Sequence, residues 1–222
     1  INDVTMSNEN AANATFTATL SAASGQQVTV AYATSNGTAT AGADYTDSSG
    51  TLTFAAGTTT QTFTVPVLAD SLDEANETAT LTLSNASNAS ISDATGTLTI
   101  TDDDSAPSLS INDVTMSNEN AANATFTATL SAASGQQVTV AYASSNGTAT
   151  AGADYTASSG TLTFAAGTTT QTFTVPVLAD TTDEANETAT LTLSNASNAS
   201  ISDATGTLTI TDDDNAPSLS IN

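Results

Sequence analysis

The residues of this sequence that could do chemistry are its carboxylates. The 222-residue chain has 23 aspartates and glutamates, no lysine, arginine, histidine or cysteine, and a formal net charge of −23. Most general bases and nucleophiles of enzymes are therefore missing. The carboxylates, hydroxyls and amides that remain are hard oxygen ligands, which suit calcium far better than transition metals.

The same composition excludes several function classes. A zinc site would lack its usual histidine and cysteine ligands, and nucleic-acid binding would lack its cationic residues. No apolar run is long enough to span a membrane, so we expect neither a nucleic-acid partner nor membrane insertion. The sequence predicts no enzyme.

The sequence repeats itself after 110 residues, with five differences. These are Thr34/Ser144, Asp47/Ala157, Ser71/Thr181, Leu72/Thr182 and Ser105/Asn215. Units of this size are independent domains rather than short solenoid repeats. The predicted organisation is a first repeat over 1–104, a linker over 105–108, a second repeat over 109–214, and a linker with the start of a third repeat over 215–222. The chain begins at Ile1 without a signal peptide, which is typical of an internal fragment.

Each repeat alternates apolar and polar residues in short runs bounded by turn residues, which is the pattern of β-strands. Seven strands are predicted in the first repeat, at about 3–7, 13–20, 27–34, 50–55, 60–68, 77–84 and 95–101. Seven short strands in this length favour an all-β fold of two tandem seven-stranded antiparallel β-sandwiches, immunoglobulin-like in architecture.

In such an up-and-down chain, most of the acidic residues are predicted to lie at one end of the sandwich. Of the twelve acids in residues 1–110, ten fall in segments that reach the end where the first strand finishes, and only Asp3 and Asp93 do not. The ten are Glu9, Asp44, Asp47, Asp70, Asp73, Glu74, Glu77, Asp102, Asp103 and Asp104. Without a cation among them, they predict a cluster of roughly two to four calcium ions per repeat. The alternative is a solvated acidic rim that keeps the protein soluble.

Several stretches resemble the Calx-beta domain, known from sodium–calcium exchangers and common in large bacterial surface proteins. The matching stretches are Asn8-Glu9-Asn10, Gly42-Ala43-Asp44-Tyr45, Gly50-Thr51-Leu52-Thr53-Phe54, Asp73-Glu74-Ala75-Asn76-Glu77-Thr78 and Thr101-Asp102-Asp103-Asp104. The resemblance covers essentially the whole chain, twice. One departure is Ala69-Asp70, where the family often has two acids.

The resemblance implies a set of calcium ligands in each repeat. In the first repeat they are Glu9, Asp44, Asp70, Glu74, Glu77 and Asp102 to Asp104. In the second repeat they are Glu119, Asp154, Asp180, Glu184, Glu187 and Asp212, Asp213 and Asp214. The topology argument adds Asp73 and its counterpart Asp183.

The short linker suggests a second place for calcium. It would set the acidic end of the first repeat against the opposite, non-acidic end of the second, where Asp113 and Asp203 lie. We expect one of these two, or a neighbouring carbonyl, to approach a junction ion. The alternative is that both accept backbone N–H groups in turns. The tail from Pro217 is expected to be poorly ordered or to pair head to tail with a neighbouring molecule.

The favoured function is a calcium-binding structural repeat, acting as a calcium-rigidified spacer in a giant secreted or cell-surface adhesin, sheath or filament. Near-identical copies suit a spacer, whereas a recognition domain is needed only once. The alternative is a regulatory calcium-sensor pair coupled to a transporter or signalling protein. The expected partners are calcium ions and adjacent repeats of the same array.

Overall fold

The computed structural model describes residues 1–10, 13–119 and 123–221, and it divides the chain into two compact units, Ile1–Asp104 and Ser105–Asn222. The strands of the first unit are β1 (Val4–Met6), β2 (Asn13–Thr19), β3 (Val28–Asn36), β4 (Ser49–Phe54), β5 (Thr60–Pro66), β6 (Glu77–Ser87) and β7 (Thr95–Ile100). The strands of the second unit are β8 (Ser108–Ile111), β9 (Val114–Met116), β10 (Asn123–Leu130), β11 (Val138–Asn146), β12 (Ser159–Phe164), β13 (Thr170–Pro176), β14 (Glu187–Ser197), β15 (Ser200–Ile201) and β16 (Thr205–Ile210).

Two sheets face each other in the first repeat. One has the strand order β1-β7-β6-β3-β4 and the other consists of β2 and β5. All pairs are antiparallel except β1 with β7, which run parallel with Val4 opposite Leu98. The predicted all-β sandwich class is confirmed, and β1 with β7 is the one strand pair of this repeat that departs from the antiparallel scheme.

Inward-facing residues of both sheets form the core, as the alternating pattern predicts. Phe16 and Val65 from the two-stranded sheet and Leu81 and Leu98 from the five-stranded sheet are completely buried. Phe63 joins the two layers, since its ring stacks on Tyr32 with centroids 4.0 Å apart. Each buried aliphatic or aromatic side chain contributes about 1.5–3 kcal/mol, so this core holds the ends of the strands in register.

The second repeat has the same five-stranded sheet, in the order β12-β11-β14-β16-β9. Its other sheet is larger, with the order β13-β10-β8-β15. Ser108, placed in the linker by the sequence, is the first residue of β8. Of the last residues of the chain, 215–221 form no strand, and Leu219 and Ile221 are 100% and 98% exposed.

The described residues contain no helix, and accordingly none that is long and apolar enough to cross a membrane.

A glycine allows the close approach of the loop after β3 to the start of β6. A Cβ on Gly37 would overlap the carbonyl oxygen of Thr78, and on Gly147 it would lie 2.5 Å from the Thr188 oxygen. Ala39 donates its N–H to that same Thr78 oxygen at 2.9 Å. This contact sets the loop beside Glu77, one residue before Thr78.

We expect Gly37→Ala to destabilise the first repeat by about 1–3 kcal/mol, because the added methyl forces the backbone apart. Gly25→Ala is the matched control, since a Cβ there meets no atom within 4 Å. Thermal unfolding followed by circular dichroism compares the two variants. Equal melting temperatures would contradict the assigned role of Gly37.

Candidate metal centre

The carboxylates gather where β1, β3, β5 and β7 end, as the up-and-down path predicts. In the first repeat they form two groups, each with carboxylate oxygens that lie within 4.8 Å of one another. The Glu9 triad is Glu9, Asp102 and Asp104, and the Glu77 triad is Asp44, Glu74 and Glu77. The second repeat has the Glu119 triad of Glu119, Asp212 and Asp214, and the Glu187 triad of Asp154, Glu184 and Glu187. The same arrangement therefore occurs twice.

A tight turn anchored in the core presents Asp44 to its triad. The ring of Tyr45 is completely buried, and its hydroxyl donates to Asn36 Oδ1 at 2.7 Å. Gly42 has a φ of 93°, a left-handed conformation that favours glycine. Asp44 Oδ2 accepts the N–H of Thr40 at 2.6 Å, which leaves the other carboxylate oxygen for a further partner.

Cross-links between two segments hold the acids that follow β7. Asn76 accepts the N–H of Asp102 at 3.1 Å, and Asp102 Oδ1 accepts the N–H of Glu74 at 3.2 Å. These two bonds tie the β5–β6 loop to the end of β7 and bring the two triads together. Asn186 and Asp212 make the same bonds in the second repeat.

Some of the carboxylate oxygens are buried without a hydrogen-bond partner. Glu9 and Glu119 are each only 6% exposed. One oxygen of each, together with Oδ2 of Asp104 and of Asp214, has no donor. The amide oxygen of Asn8, beside Glu9, is buried in the same way. A buried charged acceptor without a donor is costly, so these oxygens indicate a cation ligand rather than a solvated rim.

Burial and mutual repulsion raise the pKa of carboxyls in both triads. Desolvation, with the nearby Asp104, Asp70 and Asp102 carboxylates, raises the pKa of Glu9 to about 7. Desolvation, with Asp44, Glu74 and Asp70, raises the pKa of Glu77 to about 7 as well.

The second repeat shows the same effect. The pKa values of Glu119 and Glu187 are both raised to about 7, again by desolvation first and by neighbouring carboxylates second. The geometry therefore holds these groups where their charged forms are destabilised unless a cation is bound.

Asp70 and Asp180 lie near both triads of their repeats. The charge of Asp70 raises the pKa of Glu9 and of Glu77, which belong to different triads. Its Oδ1 accepts the N–H of Leu72 at 2.7 Å. In the second repeat the N–H of Thr182 donates to Asp180 at 2.6 Å and lowers the pKa of that carboxyl. This turn keeps the carboxylate of Asp70, or of Asp180 in the second repeat, close to both triads of its repeat.

The other predicted ligands fall outside the triads. Asp73 is buried, and its charge adds to the burial that raises the pKa of Asp102. Its counterpart Asp183 is exposed, and its charge adds to the burial that raises the pKa of Asp214. Asp103 is exposed and accepts the Asn10 amide at 3.0 and 3.1 Å. Asp213, its counterpart, is exposed too. A role for these four in metal binding remains a prediction.

Asp113 and Asp203, the predicted junction ligands, bind backbone groups within the second repeat. Asp113 Oδ1 accepts the N–H of Thr207 at 2.7 Å and Asp203 Oδ1 accepts that of Thr205 at 3.3 Å. The Asp203 bond is the turn role named above as the alternative, whereas the Asp113 bond joins two segments that are distant in the sequence. Asp47, one of the ten acids predicted at the acidic end, accepts the hydroxyl of Thr34 and belongs to neither triad.

Sequence reasoning missed the asparagines that position the acids. Asn36 fixes the Asp44 turn by accepting both the Tyr45 hydroxyl and the N–H of Ala41. Asn76 fixes the start of the Asp102 run. The Asn36-Gly37 pair is a turn signal in the sequence. The signal does not reveal that the Asn36 amide oxygen holds the turn that carries Asp44.

The donor set fits calcium. Each repeat offers two triads of carboxylates with a further acid between them, all hard oxygen ligands of the kind calcium takes six to eight of. The ligands come from separate loops, so binding an ion would tie together the β1–β2, β3–β4 and β5–β6 loops and the end of β7.

Comparison with known families assigns both repeats. The Calx-beta domain profile matches residues 2–104 and again residues 102–214. No curated protein matches the chain.

Solved structures of similar fold include tandem domains of this family. CBD12 from CALX1.2 is 19% identical with a TM-score of 0.45, covering 94% of this chain and 96% of that one. The calcium binding domain CBD12 of CALX1.1 is 22% identical with a TM-score of 0.44, covering 88% and 78%. The family profile matches nearly the full length twice. The chain therefore belongs to the Calx-beta family and carries two tandem domains of it.

Proposed function

We propose that this chain is a structural spacer that calcium makes rigid, part of a secreted or cell-surface adhesin, sheath or filament, with no catalytic role. The observation that carries the calcium dependence is the set of buried carboxylate oxygens without a donor, on Glu9, Asp104, Glu119 and Asp214. An ion at the Glu9 triad and another at the Glu119 triad would satisfy these oxygens and reduce the repulsion among them. Folding and calcium binding are then linked.

Near-identity of the two repeats supports the role as a spacer. Only five positions differ over the 110-residue period, and none of them belongs to a triad. Two sites with the same ligands have the same affinity, so they respond together to calcium. This suits a mechanical element that must be uniformly rigid.

The segment between the repeats is anchored at both of its ends. Asp102 and Asp104 belong to the Glu9 triad of the first repeat. Pro107 is buried in the second repeat, where its carbonyl accepts the N–H of Ser200 at 3.0 Å. Ser105 and Ala106 are exposed between these anchors. Calcium bound at Asp102 and Asp104 would leave little of the segment free, which is how we expect it to stiffen the joint.

The alternative function is a regulatory calcium sensor. Affinity distinguishes the two, because extracellular calcium modules bind at about 10⁻⁴–10⁻³ M and sensors at about 10⁻⁷–10⁻⁵ M. Isothermal titration calorimetry of the 222-residue chain would support the spacer with a dissociation constant in the first range. A constant in the second range would favour the sensor.

Removing a buried triad ligand should lower the calcium-dependent stability of its own repeat. We expect Glu9→Gln to weaken calcium binding by the first repeat on the order of tenfold or more, because it removes one charged ligand. The second repeat should be unaffected. Melting temperature measured against free calcium gives the readout for each repeat, since stability rises with ligand by mass action.

Asp47→Ala is the matched control for Glu9→Gln. It also removes one negative charge from the acidic end, and the second repeat already carries Ala157 there. This variant should keep the wild-type response to calcium. If both variants lose the response equally, general charge and not the triad governs it. If calcium moves the wild-type melting temperature by only a degree or two, the metal centre itself is refuted.

The pH dependence of stability should change sign with calcium. Without calcium, Glu9 and Glu77 hold protons more tightly when folded than when unfolded. Their contribution is thus fully present below pH 4.5 and is lost as the pH rises through about 7. With saturating calcium the ionised form is the one bound, so stability should rise over the same interval. Melting temperatures in metal-free and calcium-containing buffers test this, and parallel curves would contradict it.

Calcium should also narrow the range of shapes that the two-repeat chain samples. Small-angle X-ray scattering with and without calcium measures the maximum dimension, which we expect to be sharply defined only in the calcium-bound protein. The double variant Asp113→Ala, Asp203→Ala tests the junction hypothesis. An unchanged calcium-bound profile would show that those two side chains do not hold the joint.

A further inference from the structure

One edge of the five-stranded sheet lacks the features by which β-proteins keep their edges from pairing. In the first repeat the edge strands of this sheet are β1 and β4, and β1 is protected by its length of only three residues. β4 (Ser49–Phe54) has six residues, none of them charged and none a proline. Its register with β3 is continuous, from Phe54 opposite Val28 to Ser49 opposite Ala33. β4 is therefore a regular edge to which another strand can add.

The backbone groups of β4 point alternately toward β3 and away from the sheet. Thr34 donates its N–H to the Ser48 carbonyl at 2.9 Å, so these residues form a hydrogen-bonded pair of the antiparallel ladder. Hydrogen-bonded pairs recur at every second residue, which directs the N–H and C=O of Leu52 to Val30 on β3. The intervening residues direct theirs to the free side of β4, and they are Ser49, Thr51 and Thr53. Their side chains are exposed on the outer face of the sheet.

The segment that forms this edge is uncharged, in a chain of net charge −23. Residues 48–69 contain no aspartate or glutamate, and neither do residues 158–179 of the second repeat. β12 has the sequence of β4, the same pairing with its neighbour β11, and the same hydrogen bond from Ser144 to the Ser158 carbonyl. Each chain therefore carries this edge twice, and two copies can bring such edges together without setting carboxylates against each other.

β5, an edge strand of the other sheet, is partly covered by a loop. Thr46 donates its N–H to the Pro66 carbonyl at 2.8 Å, and Tyr45 forms an isolated bridge with Val67 just beyond the strand. The second repeat makes the same contacts. The loop before β4 thus occupies part of the β5 edge, whereas β4 has β3 as its only strand partner among the described residues.

We propose that β4 pairs with β4 of a second copy of this chain, or with the identical β12, in the antiparallel direction, so that copies associate side by side through continuous sheets. The occupant of each edge is the Thr51-Leu52-Thr53 segment of the partner, a sequence that reads the same in both directions. With Leu52 opposite the partner's Leu52, Thr51 lies opposite the partner's Thr53. Each Thr51–Thr53 pair exchanges two backbone hydrogen bonds, using the groups that point to the free side. The inference concerns strands outside the triads and does not rest on the proposed function.

The distribution of charge selects the antiparallel direction. The triads lie at the end of the sandwich where β3 finishes and β4 begins. Parallel pairing would set two acidic ends side by side. Antiparallel pairing separates them by the length of a six-residue strand, roughly 20 Å. That distance exceeds the Debye length of about 8 Å at physiological salt, so the acidic ends of the two copies are screened from each other.

Analytical ultracentrifugation at about 0.15 M salt and saturating calcium measures the association. We expect the sedimentation coefficient to rise between about 10 µM and about 1 mM chain, since a short strand edge binds weakly. Thr51→Pro together with Thr161→Pro should lower the association constant on the order of tenfold or more, because it removes an outward N–H but no bond to the neighbouring strand. Thr51→Val with Thr161→Val is the matched control. Valine keeps the N–H and the β-branched shape, so this variant should associate as the wild type does.

A second pair of variants does not rely on proline. Thr53→Glu with Thr163→Glu places like charges on adjacent strands of the two copies, so association should weaken by about threefold to tenfold. Thr82→Glu with Thr192→Glu is the matched control and should keep the wild-type association. Thr82 is also exposed on the outer face of the five-stranded sheet, but it lies in β6, two strands from the edge. Thermal melting verifies that each variant folds.

Hydrogen exchange measured by mass spectrometry identifies the strand. The amide protons of Thr51 and Thr53 face solvent in the single chain, and they should exchange more slowly at about 1 mM chain than at about 10 µM. The amide proton of Thr62 lies on the free side of β5, since Leu20 and Thr59 form a hydrogen-bonded pair of that ladder. Its exchange rate should be the same at both concentrations.

Three results would overturn the proposal. One is a chain that stays monomeric over the whole concentration range. Another is association that the proline and valine variants, or the two glutamate variants, change equally, which would indicate a different surface. A third is slower exchange at Thr62 instead of at Thr51 and Thr53, which would assign the association to β5.

Discussion

Repulsion among carboxylates that the fold holds together, in a chain without one cationic side chain, is the constraint on which the rest of the structure depends. The strands that bring Glu9 near Asp104 are held by a core in which alanines pack among a few aromatic and aliphatic side chains, with Ala14, Ala39 and Ala79 completely buried. A core of this kind stabilises a domain of about 105 residues only modestly. Burial first, and neighbouring carboxylates second, raise two glutamate pKa values in each repeat. A bound divalent ion would offset the repulsion and link the loops that supply these carboxylates.

The two repeats act as a natural comparison of sequence and structure. Asp47 becomes Ala157, and both triads of the second repeat keep the same members. The presence of β8 alone changes the second sheet from two strands to four and buries Leu130 and Leu193. The change of Asp47 to Ala157 leaves the triads intact. The presence of β8 alters the opposite end of the sandwich. The acidic triads and the β8 strand are thus independent features of one fold.

Most of the fold follows from the sequence because alternation decides which face of a strand is buried, and strand number then decides the architecture. The limits of β2, β5 and β7 lie within two residues of those predicted. The parallel pairing of β1 with β7 could not be predicted, because alternation does not select a partner. The acidic end followed from topology alone. Its division into two triads did not, since it depends on hydrogen bonds such as Asn76 to Asp102 that are made between distant segments.

The segment from Asp102 to Ile111 serves both repeats at once. Its first residues complete the Glu9 triad, and its last residues form β8, which closes the second sheet of the following repeat. Pro107 also belongs to the second repeat, where it is buried and its carbonyl accepts the N–H of Ser200 at 3.0 Å. The connecting segment therefore supplies carboxylates to the repeat before it and a core strand to the repeat after it, so that connection and folding are a single property of this part of the sequence.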